Sequence, residues 1–237
     1  MVFKAIKTNR SLRIPPKKSE AYLSDLFFIL YFIYLNKDKT RSKINIQKGI
    51  VYVLEKLLEK GKLDDIKVFN LPFYRWTFGD YNKYIATGYL PELMGGNLID
   101  EGEQPYNYKT TEKANKFLER FEKENSSNED LLLIKDIINS YPNENDFWKP
   151  FRFSHERKVK VGEQEKSVDS LEKDESIAIA YNSNPEDEDG SKSNIISTSY
   201  LLALNSLLEE TKIGQPKESD LITSEIISKL FESAGIE

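Results

Sequence analysis

Apolar residues along this chain fall into separated blocks, and most blocks carry the spacing of one helix face. Pro15-Pro16 closes an N-terminal arm. Ser19 then stands where a hydroxyl can accept a first-turn N–H, which predicts a helix over about 20–36. That helix is apolar nearly all round and is expected to be central. In the next block Ile46, Ile50, Val53, Leu54, Leu57 and Leu58 share one face, with Asn45 as the expected cap and Gly61 as the stop. Residues 62–78 read as a loop or short extended segment. Gly79-Asp80 then reads as the opening of a helical stretch capped by Asp80, divided by Gly88 and Pro91 and ended by Gly95-Gly96.

Two short extended pieces, Asn97 to Glu101 and Tyr106 to Lys109, flank the turn-rich Gly102-Glu103-Gln104-Pro105 and predict a small β-hairpin. Thr110 or Thr111 caps a helix with Ala114, Phe117, Leu118 and Phe121 on one face. Asn128 caps another that runs to about Ser140 and stops before Tyr141-Pro142. The character changes after residue 150. Residues 156–193 are polar and end in the acidic run Glu186 to Asp189, with Val159-Lys160-Val161 and Ile177 to Tyr181 as a marginal hairpin. Two amphipathic helices follow, from Asn194 to about Lys212 and from Asp220 to about Ala234. A pair that small cannot bury its own apolar faces and needs the main domain, a second copy or a partner as cover.

The pattern therefore predicts a mainly α protein: a winged-helix-like helical domain with a small β-hairpin, plus a C-terminal helical hairpin. The expected parts are a basic arm over 1–19, the helical domain over 20–145, a polar acidic linker over 146–193 and the helical hairpin over 194–237.

Composition removes several chemistries. There is no cysteine, which excludes disulfides, thiol nucleophiles and cysteine-ligated metals, and the single histidine, His155, excludes multi-histidine metal sites. His155 stands in the ordinary context Arg152-Phe153-Ser154-His155-Glu156 and reads as a surface residue. No P-loop, GxGxxG, HExxH or GxSxG motif is present. The acidic run before Gly190 fails as a calcium loop, because Pro185 and Ile196 fall where carboxylates are required. No cofactor or metal is expected, and no enzyme activity. The longest apolar run, Leu26 to Leu35, is ten residues, roughly half of what a bilayer needs, and the expected location is cytoplasmic.

Charge is uneven. The net value is −5, yet residues 1–50 hold eleven Lys/Arg against three Asp/Glu, a balance of +8. Such asymmetry suggests contact with a polyanion through one end. In a winged helix the recognition helix enters the major groove and a basic wing touches phosphate. The candidate DNA-binding residues are therefore Lys4, Lys7, Arg10, Arg13, Lys17 and Lys18 of the arm, Asn82 and Lys83 of the recognition region, and Lys109 of the wing. With Lys83 as its only cation, the recognition region suits DNA poorly and a protein partner better.

The segment from Ile46 to about Glu124 resembles the Panacea domain, the family that includes SocA-like antitoxins. The resemblance rests on Ile46 to Leu54, on Tyr74-Arg75-Trp76-Thr77-Phe78-Gly79 leading into a helix, on Leu90 and Leu93, on Gly96-Asn97-Leu98-Ile99, and on the step from Tyr108 to Thr111. Gly79-Asp80 departs from the family's Gly-Pro. The resemblance covers about a third of the chain and implies a compact, non-enzymatic helical domain that neutralises a toxin or adapts a partner for proteolysis.

The expected function is accordingly that of an antitoxin-like or adaptor protein acting by protein–protein binding, as in a toxin–antitoxin system; the alternative is a winged-helix DNA-binding regulator. Candidate partner-binding residues are Arg75, Trp76, Tyr81, Tyr84, Leu201, Leu204, Leu208, Ile226 and Leu230, the last five allowing self-association through the C-terminal helices.

Overall fold

The computed structural model describes residues 3–4, 14–36, 42–63, 65–71, 73–76, 79–102, 107–142, 156–161, 163–171 and 193–210. Its centre is α1, Glu20–Leu35, whose first turn is capped by Ser19 Oγ accepting from Tyr22 N at 3.3 Å. Every residue from Tyr22 to Ile33 is buried, so the helix has no solvent face over three turns. This is the structural counterpart of its all-round apolar sequence.

Helix α2, Lys43–Glu59, crosses α1. Its cap is Ser42, whose Oγ accepts from Asn45 N at 3.1 Å, and Asn45 itself lies buried in the first turn. The expected cap at Asn45 is thus corrected by three residues: Ser42 is the hydroxyl with extended backbone, the conformation a cap requires. Gly61, at φ 66°, follows the helix end in the left-handed conformation.

The next correction concerns Gly79-Asp80. These residues open no helix. Strand β3, Tyr74–Trp76, pairs antiparallel with β4, Gly79–Tyr81, so Asp80 lies opposite Arg75 in a hairpin. The helical stretch begins after it, as a π-turn, Ile85–Tyr89, running without a break into α3, Leu90–Gly95. Pro91 sits in the first turn of α3, where its missing N–H costs nothing, so it does not divide the stretch.

Strands β5, Ile99–Glu101, and β6, Tyr108–Thr110, form the expected hairpin, and Thr111 caps α4, Glu112–Glu124. Asn128 caps α5, Glu129–Asn139. The α4 rings pack edge-on to α1, with Phe27 and Phe121 centroids 4.7 Å apart. Each such ring contributes roughly 2–3 kcal/mol of burial.

Two further pairings join distant parts of the chain. β7, Lys158–Val161, pairs antiparallel with β8, Gln164–Ser167, and parallel with β1, Phe3–Lys4. The expected partner of 159–161, residues 177–181, lies outside the described residues. β2, Ile66–Lys67, pairs parallel with β9, Ser193–Asn194, which takes Asn194 out of the helix expected to start there. Helix α6, Thr198–Glu210, follows and packs on α1.

The protein is mainly α-helical with small hairpins, and one continuous core runs from Tyr22 through Val159 and Val168 to Leu208. The boundary expected near residue 193 is not a boundary of the core. The second C-terminal helix, expected from Asp220, lies outside the described residues. Among the described residues no helix is long and apolar enough to cross a membrane.

Candidate binding cleft

A recess of about 310 Å³ is lined by Ile14, Leu71, Tyr74, Asn82, Lys83, Tyr84 and Thr87. Its walls come from the arm, from Leu71 and the start of β3, and from the stretch that leads from β4 into the π-turn. Local chemistry fixes each wall. Asn82 is buried, its N donates to Gln47 Oε1 of α2 at 2.7 Å, and its Oδ1 accepts from Tyr84 N at 2.8 Å. Thr87 Oγ1 donates to Lys83 O at 3.1 Å. A Cβ built on Gly88 would come within 2.5 Å of Tyr84 Cζ, so a residue without a side chain lets the Tyr84 ring lie against its own turn.

Behind the cleft lies Asp25, the one charged residue between Glu20 and Lys37 in sequence, fully buried in the middle of α1. Its Oδ1 accepts from Asn70 N at 2.6 Å and from Asn70 Nδ2 at 2.9 Å, and its Oδ2 accepts from Tyr89 Oη at 2.8 Å. Leu71 N also donates to it. Asn70 Nδ2 reaches Ala21 O at 3.2 Å as well, which pins the segment leading to Leu71 onto α1. The Tyr89 ring is held edge-on between Tyr22, at 5.0 Å, and Tyr84, at 5.1 Å. Tyr22 Oη donates to Glu92 Oε2 at 3.3 Å, and Lys17 Nζ pairs with the same oxygen at 3.2 Å.

Burial pushes the Asp25 carboxyl up to about 7, against the lowering effect of the bonds from Asn70, Tyr89 and Leu71. Burial likewise holds the Tyr22 and Tyr89 phenols far above their usual range, so both stay neutral. Among the described residues no group of His, Asp or Glu gathers into a metal-holding cluster. A second recess, about 100 Å³ beside Tyr31, has its carboxylate engaged, because Glu122 accepts from Tyr31 Oη at 3.0 Å and pairs with Lys135.

The residues named from sequence divide sharply. Tyr84, Asn82 and Lys83 line the cleft, and Tyr81, in the strand just before it, is half-buried. Asn82 is corrected as a DNA-reading residue: it is 4% exposed and its side-chain oxygen is committed to the Tyr84 amide. Leu201, Leu204 and Leu208 are corrected as partner-binding residues: all are at most 2% exposed and belong to the main core, the first of the three covers the sequence allowed. Their apolar stripe is covered by this chain itself. Lys17 pairs with Glu92, Lys18 pairs with Glu209, and exposed Lys109 stands opposite Asp100 in the β5–β6 register. The backbones of Lys4, Arg75 and Trp76 lie in strands β1 and β3, and their side chains are outside the described residues, as are Lys7, Arg10, Arg13, His155, Ile226 and Leu230.

Sequence reasoning missed Ile14, Leu71, Tyr74 and Thr87 as lining, and Asp25, Asn70 and Tyr89 behind it. A single carboxylate within the apolar run from Ala21 to Leu35 was the readable signal for Asp25. Comparison of the chain with protein-family models, curated proteins and solved structures returns no match.

Proposed function

We propose that this protein acts without catalysis, by binding another protein in the manner of an antitoxin or adaptor. The cleft formed by Leu71, Tyr74, Tyr84 and Ile14, with Lys83 and Thr87 as polar groups, is the contact. The observation that carries this reading is the lining itself: aromatic and aliphatic walls with few polar groups, of a size that takes one or two side chains. Cytoplasmic action and a toxin as partner belong to the same proposal; the second is what the resemblance to the Panacea domain implies.

The regulator reading keeps one observation in its favour, the balance of +8 over residues 1–50. Against it, Lys17 and Lys18 each pair with a carboxylate, which reduces the phosphate-neutralising charge they offer. The test is co-purification with the product of the adjacent reading frame, followed by calorimetry. Tyr84→Ala is expected to weaken the complex by about tenfold or more, the loss typical of a central aromatic contact. An unchanged affinity removes the cleft from the interface. No complex, together with salt-sensitive retardation of duplex DNA, favours the regulator.

A further inference from the structure

The inner wall of the cleft hangs on a buried carboxylate that binding of a partner does not itself require. Asp25 is fully buried, and the groups bonded to it, Asn70, Leu71 and Tyr89, are all uncharged. Three of its four donors are N–H groups, which have no lone pair to offer. The Tyr89 hydroxyl alone can both donate and accept. A proton arriving from solvent therefore forms its O–H bond on Oδ2 and reverses the hydrogen bond to Tyr89. The Tyr89 proton then loses its acceptor, in a space bounded by the rings of Tyr22 and Tyr84. The other titratable groups on this side are Tyr22 on α1, Tyr84 just before the π-turn, and Glu92 on α3 with its partner Lys17.

We propose that Asp25 is a proton switch for the cleft: ionised, it ties Leu71 and Tyr89 to α1; protonated, it keeps the Leu71 side and reverses the bond to Tyr89, whose displaced proton makes the turn beside Tyr84 shift. The regulated property, partner binding at this cleft, rests on the function proposed above, whereas proton uptake and movement of the walls do not. Burial supports the switch by placing the change of charge near neutral pH.

The test is NMR of the full-length chain without partner, with ¹³C-labelled aspartate, between pH 5.5 and 8.5. One carboxyl is expected to titrate near neutrality and to vanish in Asp25→Asn. The amides of Tyr84 and Thr87 should move with the same midpoint in the wild type and stay still in that variant. In Tyr89→Phe the midpoint should rise by about half a unit or more, because the charged form loses an O–H donor. A carboxylate that stays in one state throughout, or one that titrates while Tyr84 and Thr87 do not move, overturns the proposal. Should Asp25→Asn not fold, the direction of the Tyr89→Phe shift still decides. Because no partner is present, these outcomes are independent of whether the cleft binds a protein.

Discussion

Leu204 is the position where the role of α6 is most directly measured. Its side chain is wholly buried, and its helix is tied down on several sides. Tyr200 packs on Phe121 at 5.0 Å and donates to Glu124, Lys113 Nζ reaches Leu207 O at 2.9 Å, and Leu208 lies against Gly96. With neighbours held this firmly, Leu204→Ala leaves a cavity that cannot collapse. The cost is about 3–4 kcal/mol, in the middle of the range for such truncations. At a urea m-value of roughly 2.5 kcal/mol/M, the unfolding midpoint falls by about 1.2–1.6 M. The assay is urea unfolding followed in parallel by far-UV circular dichroism and tyrosine fluorescence, and both signals should move together. Leu202→Ala, half-exposed on the opposite face, is the control and should stay within about 0.5 kcal/mol of wild type. If Leu204→Ala instead loses a small early transition and leaves the main one in place, α6 is a separate unit and the single core described above is wrong.

Three more outcomes are expected. Gly49→Ala should destabilise by about 3 kcal/mol or more in thermal unfolding, because a Cβ there would sit 1.9 Å from Phe32 Cζ at the α1–α2 crossing; a variant as stable as wild type shows that the two helices separate freely. Lys113→Ala should cost about 1.5–3 kcal/mol by chemical denaturation, since it removes a charged donor from Leu207 O and a partner from Glu210, while exposed Lys116→Ala should cost less than about 0.5 kcal/mol. Asp25 has a folded pKa raised from 3.8 to about 7, so the folded state binds its proton more tightly than the unfolded chain. Its contribution is full below about pH 4 and is lost as pH rises through 7, by at most about 4 kcal/mol. Relative to wild type, Asp25→Asn should therefore gain stability between pH 4 and pH 8, and an unchanged difference across that window contradicts the assignment.

Local signals made most of the helices legible. Ser19, Thr111 and Asn128 cap where their side chains and the following apolar spacing place them, and Gly95-Gly96 ends α3. Where two local meanings competed, the sequence did not choose. Gly79-Asp80 is both a plausible helix entrance and a plausible strand start, and pairing with Tyr74–Trp76 decided for the strand. Long-range pairing was invisible: nothing near Ile66 marks Ser193 as its neighbour. An amphipathic stripe such as Leu201, Leu204 and Leu208 reports that cover is needed, not which surface supplies it. The cleft was hardest, because its lining is gathered from three stretches of chain between Ile14 and Thr87, and of the regions the sequence marks for contact only the stretch from Asn82 to Tyr84 reaches it.

The docking of α6 on α1 and α4 also orders events during synthesis. Phe117 and Phe121 are made first, yet the rings and leucines that cover them, Tyr200 to Leu208, come roughly eighty to ninety residues later. At ~5–20 residues per second on the ribosome, that delay is on the order of 4–18 s. Throughout it the nascent chain carries an uncovered aromatic face, along with a β2 strand whose parallel partner does not yet exist. The growing protein is therefore a natural client for a holding chaperone, and a chain truncated just before residue 193 should be the form most prone to aggregate.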